Sequence, residues 1–310
     1  MGALEAHDLS CGYKGTPVLE HVSLSVESGG VTCLLGPNGV GKTTLFKTLL
    51  GFLPAISGSI TVDGRPRGEL SRRQFARKVS YVPQTHEPPF SYPVIDMVLT
   101  GCVSRLGMLD QPKHSDIEHA GEILAQLGIA HLANRPYTEI SGGEQQMALI
   151  ARALMQDARI LMMDEPTAAL DFGNQVAVLA CIKGMAARGH GIIMTTHNPD
   201  HAFLCCTDAV LITRQGEVIA GAVDDVVTEE NLKRAYGIDV RITTATDEAG
   251  APLKTCVPTL TRTSAQDLAQ RQCFLRPASK VRKGGLSLSA SSAKRGMHSK
   301  RSFGRKEARK

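Results

Sequence analysis

Apolar residues in this chain follow two rhythms that alternate along its length. Short β-branched runs, Val31 to Leu35, Ile160 to Met163 and Gly191 to Thr195, are apolar at most positions, as strands covered on both faces are. Longer amphipathic stretches separate them, among them Lys42 to Leu50 directly after the first run. This alternation predicts an α/β fold with a mainly parallel sheet covered by helices. Three segments behave differently: Leu4 to Leu9, Val18 to Val26 and Gly58 to Val62 alternate apolar with polar positions like antiparallel strands, which predicts a small β-subdomain beside the main sheet. From about Val94 to Met155 strand signals vanish. Helical spacing replaces them, clearest over Asp116 to Leu127 with apolar residues at Ile117, Ala120, Ile123, Leu124 and Leu127, so a helical subdomain is expected at about 90–156. A last helix is expected over Glu229 to Tyr236. From about Asp247 large apolar residues thin out and Ser, Thr, Pro, Lys and Arg accumulate, a composition that cannot offset the entropy of ordering. The expected organisation is one domain over 1–245 and a basic, disordered C-terminal extension over 246–310.

Charge sharpens that division. Of the net +5, residues 276–310 hold +11, from twelve Lys or Arg and the single acid Glu307, which leaves −6 for residues 1–275. The extension has only Phe303 to interleave with its charges, so stacking on nucleic-acid bases is not indicated and no specific nucleic acid is expected as a partner. No run of about 18 apolar residues occurs, and the Met1 start lacks a basic segment followed by an apolar one. Neither a membrane span nor a secretion signal is predicted. The eight cysteines (Cys11, Cys33, Cys102, Cys181, Cys205, Cys206, Cys256 and Cys273) form no Cys-x-x-Cys pair and read as reduced thiols of a cytosolic protein. The vicinal Cys205 and Cys206 fit a helix end packed with small apolar residues better than a redox sensor.

Three segments carry candidate chemistry. Gly36-Pro-Asn-Gly-Val-Gly-Lys-Thr-Thr44 is a phosphate loop, placed between a buried strand and a helix start as its mechanism requires. Gly36, Pro37, Asn38, Gly39, Val40 and Gly41 would turn backbone N–H groups inward as an anion nest, with Lys42 reaching the β- and γ-phosphates of ATP and Thr43 and Thr44 at the positive helix end, Thr43 as a Mg²⁺ ligand. Arg159-Ile-Leu-Met-Met-Asp-Glu-Pro166 is an apolar run ending in two acids, as a buried strand would deliver them to the sheet's carboxyl edge. There Asp164 would hold the Mg²⁺ shell and Glu165 polarise the attacking water. Ile140-Ser-Gly-Gly-Glu-Gln-Gln146 opens a helix as a capping box, Ser141 to Glu144, yet the box does not call for Gly142 and Gly143, which weaken a helix start but open N–H groups to an anion.

These segments, with His197 in Thr-Thr-His-Asn-Pro 32 residues after Glu165, occur in the order and spacing of ATP-binding cassette (ABC) ATPases, which the chain resembles over about residues 4 to 240. The resemblance implies a P-loop core with an antiparallel β-subdomain and an inserted helical subdomain. It further implies that Tyr13 stacks on adenine, that Gln84 senses Mg²⁺ and a permease, that Asp171 links two sites across a dimer, and that His197 holds Glu165, water and γ-phosphate in register. Two subunits would pack head to tail, each ATP lying between Lys42 of one and Ser141 of the other. Two departures from the family pattern, Ile140 in place of Leu with Glu144 in place of Gln, and Ala168 or Ala169 where a Ser is common, leave ATP hydrolysis untouched.

Rival uses of a cassette are excluded by layout: Lys42 and Ser141 are 99 residues apart with no heptad run between them for a coiled coil, and the chain carries one cassette without fused membrane helices. The remaining expectation is the ATPase subunit of an importer, peripheral at the cytoplasmic face of the membrane, working with permease subunits and an extracytoplasmic substrate-binding protein. The stretches Ser91 to Leu99, Asp164 to Gln175 and Thr195 to Ala202 are similar to the subfamily that takes up iron-siderophore complexes, haem, vitamin B12 and, in some members, molybdate. The alternatives are a molybdate, tungstate or other small cargo and, further off, a nucleic-acid-associated ATPase.

Overall fold

The computed structural model describes residues 4–84, 90–106, 110–246 and 250–259. A hairpin of β1 (Leu4–Tyr13) and β2 (Thr16–Val26) leads into β3 (Val31–Leu35), the phosphate loop and α1 (Lys42–Leu49). Next come β4 (Ala55–Val62), β5 (Arg65–Pro66), α2 (Arg72–Ala76) and β6 (Val79–Val82). The helical subdomain follows as α3 (Val94–Leu99), α4 (His114–Gln126) and α5 (Gly142–Met155), with short 3-10 turns between them. The chain then alternates through β7 (Ile160–Met163), α6 (Phe172–Ala187), β8 (Gly191–Thr196), α7 (Asp200–Cys205) and β9 (Asp208–Ile212). It ends in β10 (Val218–Ala222), α8 (Val223–Val226), α9 (Glu229–Tyr236) and a hairpin of β11 (Val240–Thr246) and β12 (Pro252–Pro258).

The central sheet runs β10-β9-β3-β8-β7-β6, parallel throughout except for the antiparallel edge strand β10. Its strands are apolar at nearly every position because both faces are covered, and their residues divide by parity. Cys33, Leu35, Leu161, Met163, Ile192 and Met194 face the helices of one core, while Leu34, Ile160, Met162 and Ile193 face α1 and the antiparallel β2-β1-β4-β5 layer in another. The α/β class, the β-subdomain and the helical subdomain are as the sequence predicts.

One expectation fails. Disorder was expected from residue 246, yet Pro252–Pro258 pairs along its whole length with Val240–Thr246. One acceptor on Asp200 helps to hold so polar a segment: its Oδ1 takes both the Cys256 N–H at 2.7 Å and the Thr255 hydroxyl at 3.3 Å, and Lys254 pairs with Asp224. Backbone pairing, the Asp200 anchor and the packing of Val240, Ile242 and Cys256 against the core order this hairpin, with the Lys254–Asp224 pair at its exposed rim. The basic stretch 276–310 and Cys273 lie outside the described residues.

Candidate nucleotide site

Four parallel strands deliver their carboxyl ends to one edge, and the candidate residues stand in the turns that leave it. β3 feeds the phosphate loop, β6 leads to Gln84, β7 ends at Asp164 and Glu165, and β8 ends at Thr196 before His197. The register β7↔β8, Met163 opposite Met194, sets Asp164 beside Thr195. The register β6↔β7, Val82 opposite Met163, lets the Asp164 N–H donate to the Val82 carbonyl at 2.9 Å.

The loop geometry is one that only glycine allows where it leaves the sheet. Gly36 has φ +149°, and a Cβ there would lie 2.6 Å from the Ile212 carbonyl oxygen. Lys42 starts α1, is buried, and donates from Nζ to the carbonyls of Gly36 at 2.6 Å and Pro37 at 2.9 Å. Burial lowers the pKa of its ammonium, and Glu165 and then Asp164 oppose that shift. A cleft of about 290 Å³ opens beside it, lined by Tyr13, Asn38, Gly39, Thr43 and Glu165 among others. Tyr13, about half exposed, closes the end of β1 and accepts a hydrogen bond from the Thr44 hydroxyl at 3.4 Å.

Glu165 sits where the carboxyl ends meet. Its backbone is left-handed (φ +44°), an uncommon state for a residue with a Cβ. What holds it is Thr195, whose hydroxyl accepts from the Glu165 N–H at 2.7 Å and donates to Asp164 Oδ1 at 2.7 Å. Gln84 donates to Glu165 Oε2 at 3.2 Å, and His197 Nδ1 stands 3.7 Å from Oε1. Glu165, Gln84 and His197 are thus one connected group, with Asp164 joined to it through Thr195 and Lys42 lining the same cleft as Glu165. Sequence reasoning missed Thr195, because a Thr at a strand end reads as a β-branched core residue; a hydroxyl two positions before a candidate histidine was the available signal.

Ser141 and Asp171 stand elsewhere. Ser141 caps α5, and its N–H and hydroxyl both donate to Glu144 Oε2 at 2.8 Å, which lowers the Glu144 pKa. None of residues 141 to 144 lines the cleft. Asp171 caps α6, taking the Asn174 N–H on Oδ1 at 2.8 Å and its amide on Oδ2 at 2.9 Å. Gly143 answers to this cap: a Cβ there would lie 2.5 Å from the Asn174 side chain, whereas at Gly142 the nearest neighbour would be 3.9 Å away. Packing therefore accounts for one of the two glycines and leaves Gly142 as the open one.

Comparisons with known proteins agree with this geometry. The family model described as ABC transporter matches residues 19–168. An ABC transporter ATP-binding protein of Haemophilus influenzae is 42% identical over 75% of this chain and 89% of its own length. The manganese transport system ATP-binding protein of Bacillus subtilis is 34% identical over 76% of this chain and 93% of its own. The hemin import ATP-binding protein of Bordetella avium is 36% identical over 81% of this chain and 98% of its own. Among solved structures, an ABC transporter described as of metal-chelate type, in an inward-facing conformation, superposes with a TM-score of 0.75 at 30% identity, covering 84% of this chain and 98% of that one.

Proposed function

The chain belongs to the ABC transporter ATPases, and from that premise we propose that it drives uptake of a metal chelate such as haem, an iron-siderophore complex or cobalamin through a separate permease. The observation that carries the cargo class is the metal-chelate type transporter, whose chain is matched over 98% of its length. The hemin relative, matched over 98% of its length, supports the same reading. A second reading, import of a divalent metal ion itself, is favoured by the manganese relative. Co-purification with the permease and binding protein, followed by ATP turnover in proteoliposomes, separates them: haem or a ferric siderophore on the binding protein is expected to raise turnover several-fold. Stimulation by Mn²⁺ or Zn²⁺ alone would overturn the chelate reading.

In the proposed mechanism the loop N–H groups and Lys42 bind the phosphates, Tyr13 stacks on the base, Glu165 takes the proton of the attacking water, and His197 orients Glu165. The Thr43 hydroxyl, Asp164 carboxylate and Gln84 amide oxygen are the hard oxygen donors that Mg²⁺ prefers, and Asp164 spends only Oδ1 on Thr195. Mg²⁺, when bound, offsets phosphate charge. No helix among the described residues is long and apolar enough to cross a membrane. In this reading the chain works through the separate permease, at the cytoplasmic face of the membrane.

A second copy completes the site in this reading. Ser141 and Gly142 are exposed and off the cleft, Asp171 is exposed, and Phe172 beside it is 83% exposed, a large apolar surface for a partner to cover. ATP held between the cleft of one copy and Ser141 of the other stabilises the closed dimer, and hydrolysis releases it.

Thr195 yields a test of the site within one chain. Thr195→Val keeps the shape but leaves the Glu165 N–H and Asp164 Oδ1 without their shared partner. Hydrolysis is expected to fall about tenfold. A wild-type rate in a phosphate-release assay would remove Thr195 from the machinery.

A further inference from the structure

The element that fixes His197 is not the one that carries it. His197 leaves β8 in an irregular turn with its side chain 59% exposed, so its ring reaches Glu165 only as well as its backbone is held. Two tethers hold that backbone, and both come from the C-terminal elements. The Tyr236 hydroxyl, at the end of α9, donates to the His197 carbonyl at 3.2 Å. Three residues on, Asp200 is gripped by β12 through the Cys256 N–H and the Thr255 hydroxyl. Between these points the turn is stitched internally, Asn198 N–H to the Thr196 hydroxyl at 3.1 Å and Asp200 N–H to Asn198 Oδ1 at 3.0 Å.

Tyr236 itself has little freedom. Its ring packs against the core beneath the sheet, and Gly237 after it takes φ +70° to close the helix. Burial raises the pKa of the phenol, while the Gly36 backbone amide acts on the same oxygen in the other direction. One hydroxyl therefore lies between the first residue of the phosphate loop and the turn of the histidine, and it stays protonated and able to donate.

We propose that Tyr236 is a positioning residue for ATP hydrolysis: its hydroxyl fixes the His197 carbonyl, and so α9 and the β11-β12 hairpin belong to the ATPase machinery. The proposal rests on the reading that His197 acts with Glu165 on bound ATP. The hydroxyl makes no contact with Glu165 or with the cleft, so it acts through the backbone of His197.

A double-mutant cycle on the full chain, read by single-turnover ATP hydrolysis, tests it. His197→Ala is expected to slow hydrolysis at least about 50-fold. Tyr236→Phe should lower kcat about three- to tenfold with KM for ATP unchanged within about twofold. In the His197→Ala background the same change should alter the rate less than about 1.5-fold, since the group it positions is gone. Tyr236→Leu, which also lacks the hydroxyl, runs in parallel so that the result does not hang on one folded variant. A wild-type kcat for both Tyr236 variants overturns the proposal, as does an equal loss with and without His197, which would mark a structural role. A wild-type rate for His197→Ala is a separate outcome that overturns the reading of His197 and the proposal with it.

Discussion

Glu165→Gln is expected to bind ATP normally, hydrolyse it about a thousandfold more slowly, and accumulate as an ATP-bound dimer. The substitution removes one negative charge and almost no shape. The left-handed backbone at Glu165 is held by its N–H on the Thr195 hydroxyl, which the amide side chain does not disturb. Gln84 still finds an acceptor on the amide oxygen, and the Lys42 contacts to Gly36 and Pro37 are independent of residue 165. What is lost, on the proposed role of Glu165, is the base that takes the proton of water, a contribution of about 10² to 10⁴ in rate. With hydrolysis blocked and binding intact, ATP remains between two copies and the closed state accumulates. Gel filtration with light scattering, with and without ATP, reads the dimer, and phosphate release reads the rate. A monomer at saturating ATP would remove the head-to-tail arrangement, and a wild-type rate would remove Glu165 as the base.

Much of this site is legible in the sequence because its parts are local. β3, the loop and α1 read in order because an apolar run, three glycines and an amphipathic helix are each signalled within a few residues. The ends of β7 and β8 read for the same reason. What sequence could not supply are links that cross from strand to strand. Thr195 joins Asp164 to Glu165 because β7 and β8 are neighbours in a register that no local pattern encodes. Tyr236 reaches His197 across 39 residues, and read alone it is simply the last residue of a helix. Composition misleads over the hairpin β11-β12: Thr243 and Thr244 are exposed, and its order comes from a full ladder, the Asp200 anchor and only three residues, Val240, Ile242 and Cys256, that reach the core. Gly143 was half read, since its need for space arises from Asn174 on a different helix.

Lys42→Ala is expected to act one step earlier, at binding. Two of the three ammonium N–H groups are spent on the carbonyls of Gly36 and Pro37, which leaves the third for a phosphate oxygen in the proposed mechanism. The residue is buried, and burial already disfavours its charge, so that charge is kept by the loop carbonyls and by Glu165 and Asp164 and gains a full partner only when phosphate arrives. Alanine removes the cation and leaves two inward carbonyls facing an anion without compensation, a loss of about 3 kcal/mol or more for a charge-assisted contact, which is about 100-fold in affinity. Arginine is no substitute, because its planar fork cannot bond both loop carbonyls and a phosphate from one nitrogen. Fluorescent-nucleotide titration should therefore show ATP binding weakened at least about 100-fold, with hydrolysis at background. The combination with Glu165→Gln orders the two steps. If Lys42 acts in binding and Glu165 in chemistry, the double variant cannot form the ATP-bound dimer that Glu165→Gln forms alone. A dimer in the double variant at the same ATP concentration would mean that closure does not depend on the phosphate contacts of Lys42.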